Sequence, residues 1–289
     1  MGQTLFTGAC TALVTPFLNN KINFPLLQQM ILHQIEAGIP AVVLAGTTGE
    51  SPVLSDMEKL ELFRRGKEFA GGRCLVIAGT GSNCTEHAIA LSKAAEAAGA
   101  DALLIVAPYY NKGTPESLYM HFASIANAVN IPVILYNVPG RTGVDIPVSV
   151  YQKLSRIPNI VGVKEASSDI TKIARIRCAC GDDFAIWSGN DDQIVPVIAM
   201  GGKGVISVLS NICPAQTQAM TCAALAGDMA TASKIQCNMT DLIRLLFAEV
   251  NPIPVKYAMK HIGFDCGECR LPLSMPSKEL CQRIDKYFQ

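Results

Sequence analysis

The sequence predicts a closed TIM-type (β/α)₈ barrel carrying a helical appendage at its C-terminal end. Three observations predict it. Eight short apolar runs alternate with eight amphipathic segments, nearly all the runs are continuously apolar, and the chain beyond about residue 228 is poor in strand-like runs. Strands that are apolar along their whole length are those covered on both faces, as in parallel sheets flanked by helices. Eight strand–helix units in about 225 residues fit a closed barrel better than an open doubly wound sheet.

The strand-like runs are 10–17, 41–46, 74–81, 100–110, 132–139, 160–166, 184–190 and 204–210. Between and after them, residues 25–37, 55–70, 85–98, 115–129, 147–156, 169–179, 191–200 and 214–227 place apolar side chains near a 3.6-residue period. Ser55 with Glu58 three residues later spells a capping box. Thr85 opens a helix that Gly99 stops, and Pro115 and Pro147 suit first-turn positions. The expected division is a catalytic barrel over 1–227 and a helical region over 228–289 packed on it, with NPIP at 251–254 interrupting the helices. No linker, charge block or low-complexity stretch separates the two.

Composition narrows the function classes. Lys+Arg and Asp+Glu balance at 24 each, which gives no sign of a nucleic-acid partner or an acidic membrane surface. No apolar run approaches the roughly 18 residues a membrane span needs. The opening MGQTLFTGACTALVTPF shows neither a secretory nor a transit pattern, so a cytoplasmic location is expected. The 11 cysteines are odd in number and scattered; Cys10, Cys74 and Cys213 sit in or beside apolar runs, as reduced thiols would. One CxxC (Cys266, Cys269) and four dispersed histidines do not propose a metal site. No nucleotide-binding glycine motif stands at a strand–helix junction, and no cofactor is expected.

In such barrels the site lies at the C-terminal strand ends. Those ends carry Thr15, Thr47, Thr48, Glu50, Thr80, Asn83, Tyr109, Tyr110, Tyr136, Asn137, Arg141, Lys164, Glu165, Ser188, Gly189, Asn190, Ser207 and Ser210. Lys164 is the sharpest of these, because it follows Ile160-Val161-Gly162-Val163 and is carried inward by a strand that otherwise reads as core. An amine withdrawn from water favours its uncharged, nucleophilic form. The blander reading pairs Lys164 with a neighbouring carboxylate such as Glu165. Tyr136, ending the preceding strand, can relay protons while a carbinolamine forms and loses water. Arg141, five residues on, offers a planar cation suited to a carboxylate. The GTTGES turn at 46–51 supplies hydroxyls and free N–H groups. Together these groups suit a site that forms an iminium with a 2-oxo acid.

GTTGES (46–51), AGTGSN (78–83), APYYNKGT (107–114), YNVPGRTG (136–143), GVKEAS (162–167), GVISV (204–208) and NPIPVK (251–256) stand in the order and spacing of the dihydrodipicolinate synthases, and the chain resembles that family from about residue 5 onward. The resemblance implies a class I, metal-free lyase that condenses pyruvate with L-aspartate 4-semialdehyde in lysine and diaminopimelate biosynthesis. It implies that Lys164 holds pyruvate as a Schiff base and that Tyr136, Thr48 and Tyr110 relay protons, Tyr110 being lent across a dimer interface. Thr47 would contact the pyruvate carboxylate, Gly189 and Ile206 would line the pyruvate pocket, and Arg141 would bind the carboxylate of the second substrate. It further implies a homotetramer built as a dimer of dimers.

Two alternatives stand beside this reading. N-acetylneuraminate lyase and 2-keto-3-deoxy sugar-acid aldolases share the lysine and the tyrosine; the Gly-Arg-Thr-Gly of 140–143 and the paired threonines favour the synthase. A barrel that binds an oxo acid without turning it over is disfavoured by the complete set of Lys164, Tyr136, Thr48 and Tyr110. Lysine-inhibited relatives resemble the chain at Ser51, Asn83 and Tyr109 but carry histidines at the positions of Asp56 and Lys59 and a glutamate at that of His87. A histidine cannot receive an ammonium group as that glutamate does, and Glu86 next door points elsewhere on a helix. Weak or absent inhibition by lysine is therefore expected.

Overall fold

A computed structural model describes residues 4–289 and shows eight parallel strands closed on themselves. They are β1 (Gly8–Ala12), β2 (Ala41–Leu44), β3 (Leu75–Gly79), β4 (Ala102–Val106), β5 (Val133–Asn137), β6 (Ile160–Glu165), β7 (Ala185–Ser188) and β8 (Gly204–Ser207). Each pairs with its neighbours in sequence, and β8 closes on β1 with Thr11 beside Ser207. The helices around the barrel are α1 (Phe24–Glu36), α2 (Asp56–Ala70), α3 (Thr85–Ala97), α4 (Pro115–Ala126), α5 (Val148–Leu154), α6 (Ile170–Cys180), α7 (Ile194–Ala199) and α8 (Pro214–Leu225). Beyond them lie α9 (Met229–Leu246), α10 (Ile253–Ala258) and α11 (Lys278–Tyr287). No helix among the described residues is long and apolar enough to cross a membrane.

Every strand and helix expected from the sequence is present, most with the ends drawn in; β1, expected over 10–17, instead starts two residues earlier at Gly8 and stops at Ala12, and α1 and α6 each extend one residue past one expected end. The run 100–110 yields a strand of only five residues, because beyond Val106 the chain turns out of the sheet toward the mouth. The Ser55–Glu58 capping box is formed, and Gly99 takes a left-handed φ of +89° just past α3. Pro115 stands at the first turn of α4, whereas Pro147 sits one step earlier, as the extended residue preceding α5. The segment 191–200 splits into a 3₁₀ turn, Asp191–Gln193, followed by α7.

The hydrophobic interior has two main parts. Cys10, Ala41, Val43, Ile77, Leu104, Ile134, Tyr136, Trp187 and Ile206 fill the barrel, and Phe6 stacks on Trp187 with ring centroids 4.7 Å apart. A larger cluster lies between the strands and the surrounding helices. Cys10 and Cys74 are buried thiols, as expected; Cys213 is only half-buried.

The segment following α9 reaches back to the loop between β2 and α2. Lys256 of α10 and Glu50 of that loop form a fully buried ion pair of 2.7 Å. The second oxygen of Glu50 accepts the backbone N–H of Arg270 at 2.8 Å. Arg270 in turn donates to both oxygens of Glu58 at the start of α2, and those bonds hold the Glu58 carboxyl down at about 2. Glu50 therefore serves this tie behind the mouth and does not face the site. Breaking a buried pair from one side strands a charge, which costs about 3–5 kcal/mol. Lys256→Met should lower unfolding stability by about that much, and adding Glu50→Gln should recover part of the loss. Denaturant unfolding checks this, and a Lys256→Met protein as stable as the parent would contradict it.

Candidate active site

The path of β6 decides what faces into the barrel. Val133 of β5 pairs with Ile160, but the next residue, Ile134, pairs with Gly162, so β6 carries one surplus residue at Val161. This β-bulge turns both Val161 and Gly162 toward the barrel interior and rephases everything beyond it. Val163 then packs outward under the helices, and Lys164 faces inward at the level of Tyr136 and Trp187. Gly162 is required there: a Cβ would lie 2.1 Å from the Ala185 carbonyl oxygen and 2.9 Å from the Trp187 ring.

Lys164 is 4% exposed, with its Nζ over the Tyr136 ring at 4.5 Å from the centroid. The neighbouring carboxylate does not pair with it. Glu165 points to the outside of the barrel, where it accepts from Asn137 Nδ2 (2.8 Å), the Ser167 N–H (2.8 Å) and the Tyr151 hydroxyl (3.0 Å). Lys172, bonded to Asp145, adds its charge 3.7 Å from Glu165. That outer network also pushes the Tyr151 phenol well above its ordinary range, chiefly through burial and the Glu165 charge. The other buried lysines are committed, Lys172 to Asp145, Lys256 to Glu50 and Lys59, more loosely at 3.9 Å, to Asp56. Lys164 makes no ion pair among the described residues.

Around Lys164 the remaining candidates fall as follows. Gly189 packs against its stem, so that a Cβ there would come within 3.2 Å of Lys164 Cε. Ile206 is fully buried in the barrel interior. Thr47, Tyr136 and Arg141 line one cleft of about 630 Å³, and Thr48 is buried beside it in the loop after β2. The single chain does not bring Tyr110 to this group: it is 91% exposed, at a left-handed φ of +73°.

The outer wall of the cleft holds Ser51, Asp56, Lys59, Asn83, His87 and Tyr109. His87 is braced on both ring nitrogens, Nε2 against the Asp56 carboxylate at 2.9 Å and Nδ1 against the Ser82 hydroxyl at 3.2 Å. Burial lowers the affinity of Lys59 for its proton, with Asp56 opposing that effect. Glu86 is exposed and does not line the cleft.

Two buried residues at the mouth escaped the sequence reading. Asp191, just past β7, accepts the Val208 and Leu209 N–H groups at 2.9 and 2.8 Å and so ties the ends of β7 and β8 together. Burial raises its carboxyl, while Ser207, those two N–H groups and Lys164 pull it back. An acidic residue directly after a strand-end Gly-Asn was the available signal. Asn251 stands first in the NPIPVK motif, but nothing in that motif ties it to the site, because its partner Thr48 lies 203 residues away.

The sequence profile of the dihydrodipicolinate synthetase family matches residues 5–289. The chain belongs to this family. The 4-hydroxy-tetrahydrodipicolinate synthase of Acetivibrio thermocellus is 47% identical over 274 residues, which cover 95% of this chain and 93% of that protein. The crystal structure of dihydrodipicolinate synthase from Aquifex aeolicus superposes with a TM-score of 0.96 at 41% identity, covering 98% and 97% of the two chains. The enzyme from Cyanidioschyzon merolae, solved with lysine bound, gives 0.95 at 40% identity over 98% and 97%.

GVKEAS, one of the motifs that carry the family resemblance, begins directly after the surplus residue. Gly162→Ala should overpack the Ala185 carbonyl and the Trp187 ring, lowering stability by about 1–3 kcal/mol and depressing turnover of the protein that still folds. Thermal unfolding and a rate per folded molecule check both, and parental values for each would contradict the role given to the bulge.

Proposed function

We propose that this chain is a 4-hydroxy-tetrahydrodipicolinate synthase, condensing pyruvate with L-aspartate 4-semialdehyde through a Schiff base on Lys164 in lysine and diaminopimelate biosynthesis. The observation that carries the reading is that Lys164 is a buried lysine with no carboxylate partner among the described residues, set against the ring of Tyr136 at the mouth of the barrel. Family membership and the names of the relatives support the choice of substrates.

The chemistry follows from these groups. The Lys164 amine attacks C2 of pyruvate, and the carbinolamine loses water to give an iminium. Loss of a proton from C3 gives an enamine, whose C3 attacks the aldehyde of the second substrate. The new chain's own amine then closes onto C2 and displaces Lys164, which regenerates the enzyme. Each step moves a proton at or near C2 or C3, and Tyr136, Thr48 and Tyr110 are the hydroxyls assigned to carry it. Tyr110 reaches a neighbouring copy's site in a dimer of dimers; its exposure in the single chain agrees with that assignment. Thr47 and its loop receive the pyruvate carboxylate, Gly189 and Ile206 shape the pocket, and Arg141 receives the carboxylate of the semialdehyde. An assay supplying both substrates should show turnover, reduced at least about a thousandfold by Lys164→Ala. No consumption of the semialdehyde by the parent enzyme would sink the assignment.

The outer cleft bears on regulation. An imidazole stands at the position of His87, and the one carboxylate lining that cleft among the described residues, Asp56, is already engaged by His87 and Lys59. The synthase should therefore keep its activity across sub-millimolar lysine. Half-inhibition within that range would overturn this reading.

A further inference from the structure

Asn251 opens the NPIPVK segment between α9 and α10, far outside the barrel in sequence, and its side chain is buried. Its Nδ2 donates to Thr48 Oγ1 at 3.0 Å, and its backbone carbonyl accepts from Arg141 Nη2 at 3.0 Å. One residue thus touches both a proton-relay hydroxyl and the cation assigned to the second substrate. Its carboxamide presents the N–H₂ side to Thr48, and its Oδ1 has no partner among the described residues.

A threonine hydroxyl has one proton and two lone pairs. When an amide N–H occupies a lone pair of Thr48 Oγ1, the threonine's own proton must point away from Asn251. The hydroxyl rotor, which is otherwise free to turn, then has one direction in which to give its proton. The carbonyl contact acts separately: it engages one N–H of Arg141 and leaves the rest of the guanidinium fork for a carboxylate. We propose that Asn251 is a positioning residue that sets the hydrogen-bond polarity of Thr48 through its carboxamide and orients Arg141 through its backbone.

This inference rests on the Schiff-base reading above, and it separates the two roles experimentally because only the first needs the side chain. Asn251→Ala removes the donor and keeps the backbone carbonyl. Asn251→Asp is isosteric and can only accept from Thr48 when ionised, so it draws the threonine proton backwards and guards against a simple packing defect. The rate at which pyruvate forms a borohydride-trappable adduct should fall about 10- to 100-fold in both variants, with Asn251→Asp no faster than Asn251→Ala. The KM for L-aspartate 4-semialdehyde should stay within about threefold of the parent, a small effect on the energy scale. In a Thr48→Val background, Asn251→Ala should produce little further loss, since the two groups act as one unit.

A purely structural Asn251 predicts something different: a lowered Tm with the trapping rate of the folded protein unchanged. That result, a parental trapping rate in Asn251→Asp, or full additivity with Thr48→Val would each overturn the proposal. If the parent enzyme itself traps no adduct, the underlying reading fails; if the parent traps and the variants match it, only the role of Asn251 fails.

Discussion

Between Ile160 and Gly162, strand β6 carries one residue more than β5, and the orientation of every side chain beyond that point follows from it. Side chains alternate along a strand, so a slip of one residue exchanges the two faces. Without the surplus residue, Lys164 would lie under the helices, and Glu165 would enter the barrel. The network that now satisfies Glu165, from Tyr151, Asn137, Ser167 and Lys172, lies outside and could not follow it inward. A carboxylate left buried and unpaired costs several kcal/mol, so the packing around the strand reinforces the phase the bulge sets. The same alternation keeps a carboxylate away from the inward amine.

The mouth is held by a second constraint, from the far end of the chain. The threonines of the turn after β2 stand on Glu50, which is pinned by Lys256 and the backbone of Arg270, and on Asn251, which holds Thr48 directly. A short polar turn has little apolar surface of its own to bury and would otherwise be among the less ordered parts of a barrel. Burying an ion pair beneath it is an expensive way to fix geometry, because both ions must be desolvated. The return is a turn whose hydroxyls keep one position relative to Lys164. The segment beyond α9 is therefore part of how the site is built.

Much of this was legible in the sequence. Eight continuous apolar runs gave the barrel, because burial on both faces leaves that pattern whatever the details of packing, and the strand-end rule then collected the polar residues. Lys164 stood out because its neighbours read as core. What was not legible depends on contacts between distant segments. Asn251 and Thr48 share no local pattern, and Glu50 reads as one more polar residue at a strand end until Lys256 is seen against it. Even the pairing of Lys164 with Glu165 stayed open, because adjacency in sequence does not reveal that a strand sends the two side chains to opposite faces. Pro147 fell one position outside its helix for a milder reason: its fixed φ suits the residue before a helix as well as the first turn.

The most direct test is to locate the covalent intermediate. The enzyme is mixed with pyruvate, reduced with borohydride, digested and mapped by mass spectrometry. One adduct is expected, on the peptide bearing Lys164, and none on Lys172 or Lys256, which are equally buried but already paired with carboxylates. An unmodified Lys164, or an adduct on either of the other two, would contradict it.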